Sequence, residues 1–194
     1  MALIYIHGFN SSPASLKARQ TDEWLSLHHP QIPFFCPKLS NEPDRAIRQL
    51  QDLIENAPGP TGLVGSSMGG YYATWLAERY ELPAVLINPA VKPYELMLDY
   101  LGENTNYHTG ERYVLEERHV DEVRQLEVTT SLHRERYWVL LQSGDEVLDY
   151  RQAEARYAGC RMTVERGGDH SFQRYERYLP AIYEYLQLSS GAHE

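Results

Sequence analysis

Six short strand-like runs punctuate this chain, and several are apolar at consecutive positions instead of alternating with polar residues. They are Ala2–Ile6, Pro33–Cys36, Gly62–Gly65, Ala84–Asn88, Tyr137–Gln142 and Arg161–Glu165. A strand that faces water on one side alternates, so consecutive apolar residues suit strands covered on both faces. Segments with helical spacing fill several of the gaps. Pro43 to Asn56 puts Ala46, Ile47, Leu50, Leu53 and Ile54 on one face, and Gly70 to Leu82 does the same with Ala73, Leu76, Ala77 and Tyr80. Near the C-terminus Phe172, Tyr175, Leu179, Ile182 and Leu186 keep the spacing, with a break or kink expected at Pro180. Strands alternating with helices predict an α/β architecture, a mostly parallel sheet of about six strands with helices on both faces.

The 194 residues suit a single domain with one well-buried core. One stretch interrupts the alternation. Between the fourth and fifth runs, about residues 91–135, the chain is rich in acids and tyrosines and has no strong strand signal. It is too short for a core of its own and reads as a small helical insertion, either a cap or a plain surface connection.

Composition removes several classes of function. A net charge of −9 with only 18 Lys and Arg argues against nucleic acid and anionic membrane surfaces as partners. No run approaches the roughly 20 apolar residues of a membrane span. The first residues lack the basic start and long apolar stretch of a signal peptide. With Cys36 and Cys160 read as two buried thiols and not a disulfide, the expected setting is a reducing cytoplasm. There is no H-E-x-x-H, C-x-x-C, P-loop or G-x-G-x-x-G pattern, so neither a metal nor a nucleotide cofactor is expected. The composition leaves the oligomeric state open.

The chemistry concentrates at three strand ends. Leu63-Val64 runs into Gly65-Ser66-Ser67-Met68-Gly69, which is followed by a helical segment. A serine on a sharp strand-to-helix turn needs small neighbours on both sides, and only Ser67 has glycine at both ±2 positions. The helix beyond presents free N–H groups to developing negative charge. A serine hydroxyl is a poor nucleophile until an oriented base takes its proton. Two later strand ends offer the partners: Ser143-Gly144-Asp145 carries a carboxylate, and Gly167-Gly168-Asp169-His170 an imidazole. In a parallel sheet these C-terminal edges lie on one side. Asp149 is a second candidate for the acid, and Asp169 reads as a residue that shapes its loop. His28 and His29 adjoin on a helix end, and His193 is in the tail.

The order Ser67, Asp145, His170 resembles the α/β-hydrolase fold from Leu3 to about Leu186. The segments HGFNSSP at 7–13, GSSMGG at 65–70, SGDEVLDY at 143–150 and GGDHSF at 167–172 are most similar to the small YqiA-type esterases of that superfamily. The resemblance favours Asp145 over Asp149, because in such hydrolases the acid precedes a D-E-V type run. It also implies an oxyanion hole built from the backbone N–H groups of Phe9 and Met68, with His7 shaping the loop between them. The two strands that usually precede the H-G strand are missing, and the cap shrinks to the 91–135 insertion, which suggests an open site. Tyr71 and Tyr72 are either walls of an acyl pocket or ordinary core aromatics. The same alternatives hold for Tyr94, Tyr100, Tyr107 and Tyr113. The implied activity is hydrolysis of small-molecule acyl esters through an acyl-serine. The alternatives are a thioesterase or a hydrolase-fold binding protein without catalysis.

Overall fold

A computed structural model describes residues 1–190; His193 lies outside them. In chain order the elements are β1 (Ala2–Ile6), α1 (Leu16–His28), β2 (Phe34–Phe35), α2 (Pro43–Glu55), β3 (Thr61–Ser66), α3 (Met68–Tyr80) and β4 (Ala84–Ile87). An insertion follows, with α4 (Pro93–Met97), β5 (Gly102–Thr105), β6 (Arg112–Leu115) and α5 (Glu117–Gln125). The chain then returns through β7 (Tyr137–Gln142), α6 (Tyr150–Arg156), β8 (Arg161–Glu165) and α7 (Leu179–Ser190).

Six strands form one parallel sheet in the order β2-β1-β3-β4-β7-β8. The chain moves outward from β1 to β2, then crosses back to lay β3 on the other side of β1. That reversal opens a crevice beyond the C-terminal ends of β1 and β3, where ligands of open α/β sheets bind. Successive side chains of each strand point to opposite faces, and both faces are covered, which is why several of the runs are apolar at consecutive positions. Ile4, Leu63, Leu86 and Val139 pack under α2 and α3, whereas Leu3, Val64, Val85 and Leu140 pack against α1 and α7. The helical faces read from the sequence are the ones that close these cores. Ala46, Ile47 and Leu50 of α2 are buried, as are Phe172, Tyr175, Leu179, Ile182 and Leu186. Pro180 occupies the first turn of α7, directly after a 3-10 turn at Tyr175–Tyr178, so it starts the helix and does not kink one.

The insertion departs from expectation. It is not wholly helical, because β5 and β6 pair as an antiparallel hairpin with Gly102 opposite Leu115 and Thr105 opposite Arg112. The strand Gly-Glu-Asn-Thr has no apolar residue to reveal it. Its turn supplies the order instead: the Asn106 side-chain oxygen accepts from the N–H groups of His108 and Thr109 at 2.9 and 3.1 Å, an Asx turn. The helices α1 and α6 carry no strong signal either. Among α1's thirteen residues only Ala18, Thr21 and Leu25 are buried. Cys36 follows β2 at one edge of the sheet and Cys160 precedes β8 at the other, so the two thiols are free. Burial pushes the Cys36 thiol up to about 12. Among the described residues no helix is long and apolar enough to cross a membrane.

Candidate active site

Strand β3 ends in a turn whose backbone is crowded and fixed. Ser67 takes a φ of +55°, a region that non-glycine residues seldom occupy. Its N–H donates to the Ile87 carbonyl at 3.0 Å, and its carbonyl accepts from Gly70 at 2.9 Å and Ala90 at 3.1 Å. A β-carbon at Gly65 would collide with the Gly69 carbonyl, and one at Gly69 with the Ile6 carbonyl. Both glycines are required by close approach. Ser66 is buried beside Tyr5, so Ser67 is the serine that this turn presents to the crevice.

The three side chains singled out by order along the chain meet here. His170 Nε2 lies 3.1 Å from Ser67 Oγ. Its Nδ1 lies 2.8 Å from Asp145 Oδ2 and 3.0 Å from Oδ1. With Nδ1–H donating to the carboxylate, Nε2 is left as the acceptor that faces the serine hydroxyl. The Asp145 side chain is 2% exposed against 24% for the imidazole. Asp145 Oδ1 also accepts the N–H groups of Val147 and Leu148 at 2.9 and 2.8 Å, which fixes the carboxylate on its own loop. Asp149 has other work: it caps α6 by accepting from Arg151 N–H at 3.0 Å. Asp169 shapes its loop, accepting from the hydroxyl and N–H of Ser171 and from Gln173. Those bonds hold its carboxyl below the usual carboxylate range. From α1, Lys17 Nζ donates to the Ser171 carbonyl at 2.6 Å, and burial pushes its ammonium down to about 8.

The loop after β1 closes the other side of the serine. A β-carbon on Gly8 would stand 3.2 Å from Ser67 Cβ, so the loop packs against the nucleophile turn. His7 is 5% exposed. Its Nδ1 meets the Gly8 carbonyl at 3.0 Å, and its Nε2 accepts from Leu39 N–H at 3.3 Å. Burial lowers its pKa below the ordinary imidazole value, which keeps the ring neutral in this role. Phe9 is wedged edge-on between Tyr100 and Tyr113, with ring centroids at 5.7 and 6.4 Å. Tyr113 also donates to Asn10 Oδ1 at 2.6 Å, and Asn106 donates to the Ser11 carbonyl at 3.0 Å. The insertion therefore locks this loop. Met68 opens α3, so its N–H is one of the helix's unsatisfied donors. Among the described residues the Phe9 N–H likewise has no acceptor.

Two clefts flank this centre. One of about 40 Å³ is bounded by Phe9, Met68, Tyr72 and Met97. The other, about 90 Å³, is bounded by Ala90, Leu96, Val147 and Leu148. Tyr71 and Tyr72 part company: Tyr72 lines the first cleft, whereas Tyr71 donates to the Val123 carbonyl and faces a separate cavity of about 290 Å³ behind α3. Of the insertion tyrosines, Tyr94 is buried against Glu127, Tyr100 and Tyr113 hold Phe9, and Tyr107 stands in solvent. The contribution of Asn10, Asn106 and Tyr113 has no signature in the sequence, because their partners lie about a hundred residues away.

Solved structures share this arrangement of strands and helices. Est1E from Butyrivibrio proteoclasticus superposes with a TM-score of 0.73 at 14% identity, over 97% of this chain and 87% of its own. Alpha/beta hydrolase domain-containing protein 10 from mouse gives a TM-score of 0.67 at 19% identity, over 96% and 88%. The fold is that of the α/β hydrolases. By sequence, a UPF0227 protein YcfP from Salmonella paratyphi A is 22% identical over 189 residues, 96% of this chain and 99% of that one. The Uncharacterised protein family (UPF0227) matches residues 2–187, and the chain belongs to that family.

Proposed function

We propose that this protein is a serine hydrolase that cleaves carboxylic esters of small molecules through an acyl-enzyme. The observation that carries the reading is the continuous hydrogen-bonded line from Ser67 Oγ through the His170 imidazole to the buried Asp145 carboxylate. Est1E from Butyrivibrio proteoclasticus, a structure of which holds ferulic acid, shares the fold and lends support.

In this mechanism His170 Nε2 takes the Ser67 proton as Oγ attacks the acyl carbonyl carbon. Asp145 keeps Nδ1 protonated and stabilises the imidazolium that forms. The Phe9 and Met68 N–H groups donate to the oxyanion; removing one such donor typically costs about 10²–10³ in turnover. Collapse of the intermediate expels the alcohol, which takes its proton from Nε2. Water, with His170 as base again, then releases the acid and restores the serine. His170 serves as the base only as the neutral imidazole. The two free thiols suit the reducing, cytoplasmic setting read from the sequence.

The test is hydrolysis of p-nitrophenyl esters from acetate to palmitate, with matched thioesters alongside, by wild type and Ser67→Ala. Ester turnover that disappears in the variant is expected. Turnover that survives in Ser67→Ala would remove the serine from the mechanism, and a consistent preference for thioesters would change the substrate class.

A further inference from the structure

Building on that reading, we propose that Asn88 and Gln142 are positioning residues that hold the His170 loop in register with Ser67 and Asp145. His170 lies in a segment with no regular structure between the end of β8 at Glu165 and the turn that begins at Tyr175. Gly167 and Gly168 there take φ values of +75° and +74°. Such a loop has no helix or sheet ladder to fix it, yet a histidine displaced by about 1 Å can cost about 10²-fold in rate. Something else must locate the ring.

Two buried amides hold the loop's backbone, beside the Glu146 carboxylate that accepts the His170 N–H at 3.0 Å. Asn88 and Gln142 are each 2% exposed, at the C-terminal ends of β4 and β7. The Asn88 Nδ2 group donates to the carbonyls of Asp169 and His170 at 3.1 and 3.3 Å. Its Oδ1 accepts from Gln142 N–H at 2.9 Å. The Gln142 Oε1 accepts from the N–H groups of Asp169 and Gln173 at 3.2 and 2.8 Å. Its Nε2 donates to Glu165 and to the Gln173 carbonyl at 2.9 and 3.0 Å. The loop is thus clasped on both sides of the histidine. A β-carbon at Gly168 would collide with Gln142 Oε1, so the loop's glycine is there to admit this clasp.

The clasp reaches the other two functional side chains through the backbone. Asn88 follows Ile87, whose carbonyl receives the Ser67 N–H. Gln142 precedes Asp145 by three residues on the same strand end. Asn88 therefore ties the serine turn, the acid strand and the histidine loop to one point, and it spends a φ of +39° to do so. Neither amide hydrogen-bonds to Ser67 Oγ, the imidazole or the Asp145 carboxylate, so their effect is through placement.

The test uses Asn88→Gly, which keeps the backbone conformation available, and Gln142→Leu, which keeps the bulk. The control is Leu50→Ala, a core variant on α2 far from the loop. Three readouts are compared well below the melting temperature: kcat and KM for p-nitrophenyl acetate, the rate of labelling by a fluorophosphonate, and the low-field proton signal of the imidazole Nδ1–H. Both clasp variants are expected to lose about 10²-fold in kcat, with KM within about twofold, and to lose or shift the imidazole signal. Leu50→Ala is expected to keep both despite its lower melting temperature. Wild-type kcat and an unmoved imidazole signal in either folded clasp variant would overturn the proposal. If wild type is neither active nor labelled, the hydrolase reading fails, and the imidazole signal alone decides whether the clasp positions the ring.

Discussion

Asp145 and Asp149 are separated by four residues on one loop, and their surroundings give them different work. The first is buried and faces the imidazole; the second is an exposed helix cap. Asp145→Asn is expected to lower kcat about 10³–10⁴-fold, because the amide cannot hold the tautomer that the serine needs. Asp149→Asn, which caps as well as aspartate, is expected to leave turnover and stability near wild type, while Asp149→Ala costs about 1 kcal/mol. Steady-state kinetics with urea melts on the three variants check the assignment, and the reverse ordering would move the acid to Asp149. His7 supports a prediction of another kind. Burial lowers its pKa from 6.5. Below that value the unfolded chain takes up a proton that the folded ring resists, so stability is lost as pH falls. His7→Gln is expected to lose less melting temperature than wild type between about pH 7.5 and about pH 5.5. Equal losses would mean that His7 titrates alike in the folded and unfolded chain.

At the scale of elements, the insertion acts through its hairpin more than through its helices. Tyr100 and Tyr113 trap Phe9, and hydrogen bonds from Tyr113 and Asn106 anchor the loop that carries the proposed oxyanion donor. Tyr113→Phe keeps the ring packing and removes one hydrogen bond worth about 0.5–1.5 kcal/mol. Turnover is expected to fall by up to about tenfold, with KM little changed. An unaltered kcat would mean that ring packing alone sets the loop. The hairpin also shows what a single sequence conceals. The Tyr137–Gln142 and Arg161–Glu165 runs were legible because their apolar or β-branched residues match their place in the sheet. The polar Gly-Glu-Asn-Thr strand owes its order to a turn and to docking on a distant loop, and neither leaves a local pattern.

For the whole molecule, stability and chemistry are separable because the core lies between the sheet and its helices, whereas the site lies at the C-terminal ends of the strands. Leu86 is fully buried in the middle of the layers. Leu86→Ala is expected to cost about 2–5 kcal/mol while leaving kcat of the folded fraction unchanged at low temperature; a matching loss in kcat would show that the core and the site are mechanically coupled. The sequence by itself determined the α/β class, the core-facing sides of α2, α3 and the C-terminal helical segment, the serine turn and the order serine, acid, histidine. Each of these is written in local periodicity or in the steric demands of neighbouring residues. Tertiary structure decided what depends on contacts between distant segments. It set the Asp145 carboxylate, already favoured by the D-E-V run, against the imidazole, parted Tyr72 from Tyr71, and turned the insertion into a hairpin brace. It also brought Asn88 and Gln142 to the histidine loop, because a hydrogen bond across 82 or 31 residues exists only once the strands have paired.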